Sequence, residues 1–112
     1  MKLWVDDIRP APAGYIWAKS VTQAKTIITF VQNGFLIGLF DDIFLDVISL
    51  DHDAGDFASD GGDYIEILNW LERVQNDFAW PLSCKFHLHS QNPVGIQNMR
   101  RIIQHNNWEE IQ

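Results

Sequence analysis

Two hydrophobic periods alternate along this chain. Lys2-Leu3-Trp4-Val5 is a short apolar run that stops at Asp6-Asp7, and Tyr15-Ile16-Trp17-Ala18 is a second. Such runs, bounded by polar and turn residues, predict strands. Between them "IRPAPAGY" carries two Pro and a Gly and reads as a loop. Val21, Ala24, Ile27, Ile28 and Val31 then recur with helical spacing. Ser20-Val21-Thr22-Gln23 has the spacing of a capping box, and Gly34 is the predicted stop. A run from Ile43 or Phe44 to Leu50 predicts a buried strand and leads into the Gly/Asp-rich loop "DHDAGDFASDGGD". Asp63-Tyr64-Ile65-Glu66 repeats the capping-box spacing. Tyr64, Ile65, Leu68, Leu71, Val74 and Phe78 form the expected buried stripe of a second helix, ended by Pro81. Ser83 to Leu88 predicts another strand. Asn92 as N-cap with Pro93 at the first helical position starts a third helix, continued by Val94, Met99, Ile102 and Ile103. Phe35 to Ile43, "FLIGLFDDI", follows neither period: it is either an extra strand or an insertion packing its aromatics on the core.

Strands alternating with helices predict an α/β fold of three layers. Its sheet is short and mostly parallel, of about four strands, with helices on both faces. The 112 residues make one domain, 1–112. In open α/β sheets the ligand site lies beyond the carboxyl ends of the strands.

Composition narrows the setting. Hydrophobic residues make up 46% of the chain, with five Trp and seven Phe, which argues against disorder. No apolar run approaches membrane-spanning length and the N-terminus lacks a signal-type apolar stretch, so a cytoplasmic protein without a membrane partner is expected. Cys84 alone excludes an internal disulfide and Cys-rich zinc modules. The net charge of −7 repels polyphosphate at long range, so no long nucleic-acid tract is expected as a partner. A single phosphate, held locally or through a metal ion, remains compatible.

The candidate chemistry sits where the strands end: Asp6-Asp7, Asp51-His52-Asp53, and His87, His89-Ser90. If the strands are parallel neighbours, these ends share one rim. Several carboxylates gathered there call for a cation. Asp6, Asp7, Asp51 and Asp53 are the expected ligands of a divalent ion, Mg²⁺ or Mn²⁺. Opposite them, the helix opening at Asn92-Pro93 offers N–H groups and the positive end of its dipole. Arg9 can fork onto a phosphate, and Ser90 can cap or bind one. His89, at the strand exit, is the better acid–base candidate. His87, deeper, reads as a satisfied core histidine, and His52 as structural. His87-Leu88-His89 also offers a two-histidine edge for zinc or manganese, completed by Asp51 or Asp53. Asp41, Asp42, Asp56, Asp60 and Asp63 read as solvated loop carboxylates or caps. Nucleotide-binding glycine loops and the nucleophile elbow of the hydrolases are absent.

The pieces "LWVDDIRPAPAGY", "ISLDHDAG", "GGDYIEILNWLE" and "HSQNPVGIQNMRRII", in this order through residue 103, resemble the cyclic-phosphate-processing receiver-like domains, a divergent branch of the response-regulator receiver fold, which is flavodoxin-like. The resemblance implies an acidic receiver-type pocket. In it Asp6 and Asp7 match the acidic pair, Asp51 the phosphoacceptor position and Ser90 the hydroxyl residue. His89, Asn92 and Gly95 match the signature special to this branch. It also implies action on cyclic phosphates, such as nucleotide or RNA ends carrying a 2′,3′-cyclic phosphate. Two departures argue against conventional phosphorelay signalling: "HNNWEEIQ" offers no Lys where a receiver's fifth strand ends in one, and Ala11 to Ala18 is too short for a receiver's first helix.

Three functions are compatible with these residues. The first is a metal-assisted phosphoesterase with His89 and Asp51 catalytic, Asp51 serving either as ligand or as nucleophile, and with Arg9, Ser90, Asn92 and Gly95 binding substrate. The second is a non-enzymatic module that binds a phosphorylated nucleotide or RNA end. The third is an acidic interaction protein whose surface, including Phe35 to Phe44, meets a protein partner.

Overall fold

A computed structural model describes residues 1–39, 43–80 and 82–112. Asp41, Asp42, part of the segment Phe35 to Ile43, and the proposed helix stop Pro81 lie outside the described residues. The elements run β1 (Lys2–Val5), β2 (Tyr15–Ala18), α1 (Val21–Leu36), β3 (Val47–Leu50), α2 (Ile65–Phe78), β4 (Lys85–Leu88), α3 (Pro93–His105) and β5 (Glu109–Glu110). All strand pairs are parallel, in the order β2-β1-β3-β4-β5. The α/β, parallel, receiver-type architecture expected from the sequence is present.

Its details differ in instructive ways. The described sheet has five strands rather than about four. β5 is two glutamates long and carries no strand-like composition; tertiary contacts hold it. Trp108 stacks on Phe86 at 5.1 Å, Ile111 N–H donates to the Phe86 carbonyl, and Arg100 grips the Glu110 carboxylate with two nitrogens at 2.8 and 2.6 Å. α1 passes through Gly34, and Gly38, at φ +75°, supplies the left-handed stop instead. There Leu39 N–H donates to the Gly34 carbonyl and Gly38 N–H to that of Phe35, the double bond of a Schellman ending. Phe35 and Leu36 therefore belong to a helix end, not a strand. Asp63 does not cap α2: its Oδ1 accepts from Ala54 N–H and ties down the loop after β3. On α2 the buried stripe includes Ile67, while Phe78 is exposed.

The three helices share one face of the sheet. Leu3, Val5, Ala18, Ile48, Leu50 and Phe86 point to that face and are fully buried in a single cluster with Val21, Ile28, Tyr64, Leu68, Leu71, Met99 and Ile103 from the helices. This follows from topology. Each helical crossover steps the same way across the sheet, and right-handed connections then place all three on one side. The expected helices on both faces thus reduce to one helical layer. The other face carries the alternate residues Trp4, Tyr15, Trp17, Ser49 and His87. The loop after β1 binds to it where Trp4 Nε1–H donates to the Arg9 carbonyl and Trp17 Nε1–H to that of Asp6.

Strand register positions the site. Val5 pairs with Leu50, and Leu50 with Leu88, so β1, β3 and β4 end level. The ladder runs one residue further: Asp51 N–H donates to the Val5 carbonyl and His89 N–H to that of Leu50.

Candidate functional site

The level strand ends place Asp6, Asp51 and His89 side by side. Beyond these strand ends lies a cleft of about 430 Å³ lined by Asp6, Asp7, Ile8, Arg9, Asp51, Asp53, Ser90, Gln91 and Asn92. Ligand oxygens of Asp6, Asp7 and Asp51 all lie within 4.8 Å of one another. An apolar hollow of about 320 Å³ near the end of α1 contains none of these residues; the carboxylate cluster marks the chemistry.

Asp6 is buried, and both of its carboxylate oxygens accept hydrogen bonds. Its Oδ1 accepts from the N–H groups of Ile8 and Arg9, both at 2.9 Å. Its Oδ2 accepts from Arg9 Nε at 2.9 Å and from His89 Nε2 at 3.0 Å. Burial alone would raise its pKa, but these four donors and the Arg9 charge outweigh burial and hold the carboxyl below its ordinary value. Asp7 has the opposite balance. Burial raises its pKa, the negative charges of Asp6 and Asp51 add to the rise, and the net shift is upward. The loop after β3 closes directly on Asp7: Gly55, at φ +53°, has no room for a Cβ, which would overlap Asp7 Oδ2.

Arg9 bridges the cluster. Besides its bond to Asp6, its Nη2 lies 3.4 Å from Asp51 Oδ2. The other Asp51 oxygen accepts from His52 N–H. Three carboxylates against one guanidinium leave a net local charge of −2, which matches a divalent cation in oxygen donors. The donor set therefore fits Mg²⁺ or Mn²⁺.

His89 occupies a different place from the one its strand-exit position suggested. Its side chain is only 7% exposed and does not line the cleft. Nε2 faces Asp6, Nδ1 lies 2.8 Å from Ser49 Oγ, and the ring stacks on Trp4 at 3.7 Å with planes 5° apart. Burial lowers its pKa more than the neighbouring Asp6 raises it. His87, as expected for a satisfied histidine, meets Ser49 through Nδ1 at 2.8 Å.

The far wall is the start of α3. Asn92 caps it, with Oδ1 accepting from Gly95 N–H, and Ser90 Oγ accepts from Asn92 N–H. Asp53, exposed at the rim, accepts from Asn92 Nδ2 and contacts His52 Nδ1 at 2.8 Å. Gly95 does not line the cleft. A Cβ there would overlap the His52 ring, so Gly95 lets the ring pack against the first turn of α3. His52, read from the sequence as structural, thus joins the β3 loop to the first turn of α3. It also forms a second potential ligand group with Asp53 and Asp63.

Sequence reasoning missed Ser49, which was absorbed into an apolar run, and Trp4 as the platform under His89. A polar residue inside an otherwise apolar four-residue strand, facing a histidine strand across the sheet, was the available signal for Ser49. No such signal marks Trp4.

A parallel sheet whose middle strands deliver an acidic pair and a further aspartate to one cleft defines a receiver-type domain. The family model described as cyclic-phosphate processing receiver domain matches residues 1–105 of 112, and the chain belongs to that family. No curated protein and no solved structure matches the chain significantly. Among the described residues, no helix is long and apolar enough to cross a membrane.

Proposed function

We propose that the cleft is a phosphoesterase site that opens cyclic phosphates, such as 2′,3′-cyclic phosphate ends of nucleotides or RNA. The observation carrying this reading is the approach of Asp6, Asp7 and Asp51 to within 4.8 Å beside Arg9 and the start of α3. Asp6, Asp7 and Asp51 would hold a divalent cation, while Asp53, grouped instead with His52 and Asp63, stands at the rim. When bound, that ion supplies Lewis-acid polarisation of the phosphoryl oxygens and acidifies a water.

The chain's own residues do the rest. Arg9, kept in place by Asp6 and Asp51, turns its remaining N–H groups to phosphoryl oxygens, and Ser90 and Asn92 donate from the opposite wall. Asp53, beside the His52 imidazole, takes the proton of the attacking water. One new P–O bond forms, one ribose P–O bond breaks, Asp53 passes the proton it took from water to the leaving ribose oxygen, and the product is a phosphomonoester. His89 holds Asp6 rather than meeting substrate. The protein acts in the cytoplasm in this reading.

A second reading, a non-enzymatic module binding a phosphorylated nucleotide, draws support from one feature: both ring nitrogens of His89 are already bonded within the protein. Phosphorus NMR of 2′,3′-cyclic nucleotides with the protein and Mn²⁺-free Mg²⁺ buffer separates the two. Conversion of the cyclic resonance to a monoester supports the enzyme. Saturable binding without conversion supports the module, and neither binding nor conversion overturns both.

A further inference from the structure

Ser49 is the one polar side chain of β3, and it is fully buried. It pairs in register with His87, and His89 follows on the same side of the chain two residues later. Its single hydroxyl lies 2.8 Å from Nδ1 of both histidines. For two neutral imidazoles, proton bookkeeping leaves one arrangement. An ionised Asp6 only accepts, so His89 Nε2, at 3.0 Å, carries a proton. A neutral ring has no second proton, so His89 Nδ1 is bare and takes the Ser49 hydroxyl, 2.8 Å away, as its donor. Ser49 Oγ then has only lone pairs left for His87, so His87 must donate from its Nδ1.

We propose that Ser49 is a positioning residue of the cleft: its one hydroxyl sets opposite tautomers on His87 and His89 and thereby aims His89 Nε2–H at Asp6 Oδ2. Stacking on Trp4 fixes the plane of the His89 ring but not its rotation within that plane. The Ser49 and Asp6 bonds fix the rotation. The pattern is that of a histidine whose orientation is set by the partner of its other nitrogen. The consequence for ion binding rests on the reading of Asp6 as a ligand; the tautomers do not.

Long-range proton–nitrogen NMR of the full chain labelled with ¹⁵N-histidine, at pH 7.5 without metal, tests it directly, with His87→Gln assigning the resonances. Wild type is expected to show Nε2–H at His89 and Nδ1–H at His87. Ser49→Ala is expected to lose the Nδ1–H form of His87 and to weaken Mn²⁺ binding, read by electron paramagnetic resonance, by about 10- to 100-fold. Ser49→Thr, which returns a hydroxyl, is expected to restore both. Nδ1–H on His89 in wild type overturns the proposal. So does a Ser49→Ala protein that keeps both tautomers and its Mn²⁺ affinity. If wild type binds no Mn²⁺, the ion-site reading fails, and the tautomer pattern by itself upholds or overturns the role of Ser49. If Ser49→Ala does not fold, the wild-type and Ser49→Thr spectra decide.

Discussion

His89 Nε2 donates to Asp6 Oδ2 at 3.0 Å across the two strands β1 and β4, which are not neighbours, with β3 between them. The bond therefore spans the middle of the sheet and couples the acidic pair to the strand that leads into α3. His89→Ala removes the ring from Trp4 and leaves the buried Asp6 oxygen and the Ser49 hydroxyl short of a partner. A loss of about 2–4 kcal/mol in urea unfolding is expected.

The same pair makes stability depend on pH. The folded pKa of His89 lies below its ordinary value of 6.5. On acidification the unfolded chain takes up that proton first, so the contribution is complete above about pH 6.5 and is lost as pH falls from there through the folded value. Asp6, also held low, adds a second loss below its ordinary value of 3.8. Unfolding free energies should fall from pH 7 to pH 5 in wild type, and His89→Gln should remove its share of that slope.

Asp7 carries the opposite sign. Its raised pKa means that ionising it in the folded protein costs stability, a loss that appears as pH rises through the folded value. Asp7→Asn is expected to raise Tm at pH 7.5 in metal-free buffer by about 2–4 °C. It should at the same time weaken divalent-ion binding. Calorimetry with and without Mn²⁺ checks both; a lowered Tm without metal would contradict the charge crowding inferred for the cleft.

Gly95→Ala sets helix propensity against packing. In an open helix the change would gain about 1 kcal/mol. Here the new Cβ would come within 2.6 Å of His52 Cδ2, so the ring must move. A net loss of about 1–3 kcal/mol is expected. In the His52→Ala background the loss should vanish or reverse, and a double-mutant cycle measures that coupling.

Much of this site was legible in the sequence because strand ends are marked by composition. Apolar runs stopping at Asp6-Asp7 and Asp51-His52-Asp53, and the Asn92-Pro93 helix start, located the rim without coordinates. Fine placement was not legible. Whether His89 faces the cleft or the sheet depends on Ser49 and Trp4, residues 40 and 85 positions away in the chain, through register. The role of Gly95 depends on a ring from another loop. β5 escaped because Glu109-Glu110 is held by Trp108 and Arg100, not by strand propensity. The Gly34 stop failed because Gly38 served the same local rule four residues later.

The account stands on the meeting of Asp6, Asp7 and Asp51 as a site for a divalent cation. A Mn²⁺ titration of the metal-free protein, with free ion read by electron paramagnetic resonance, tests it most directly. The expected result is one saturable ion, displaced by Mg²⁺ and weakened at least about tenfold by Asp7→Asn and by Asp51→Asn. Absence of a bound ion in wild type, or binding that both variants leave unchanged, would contradict it.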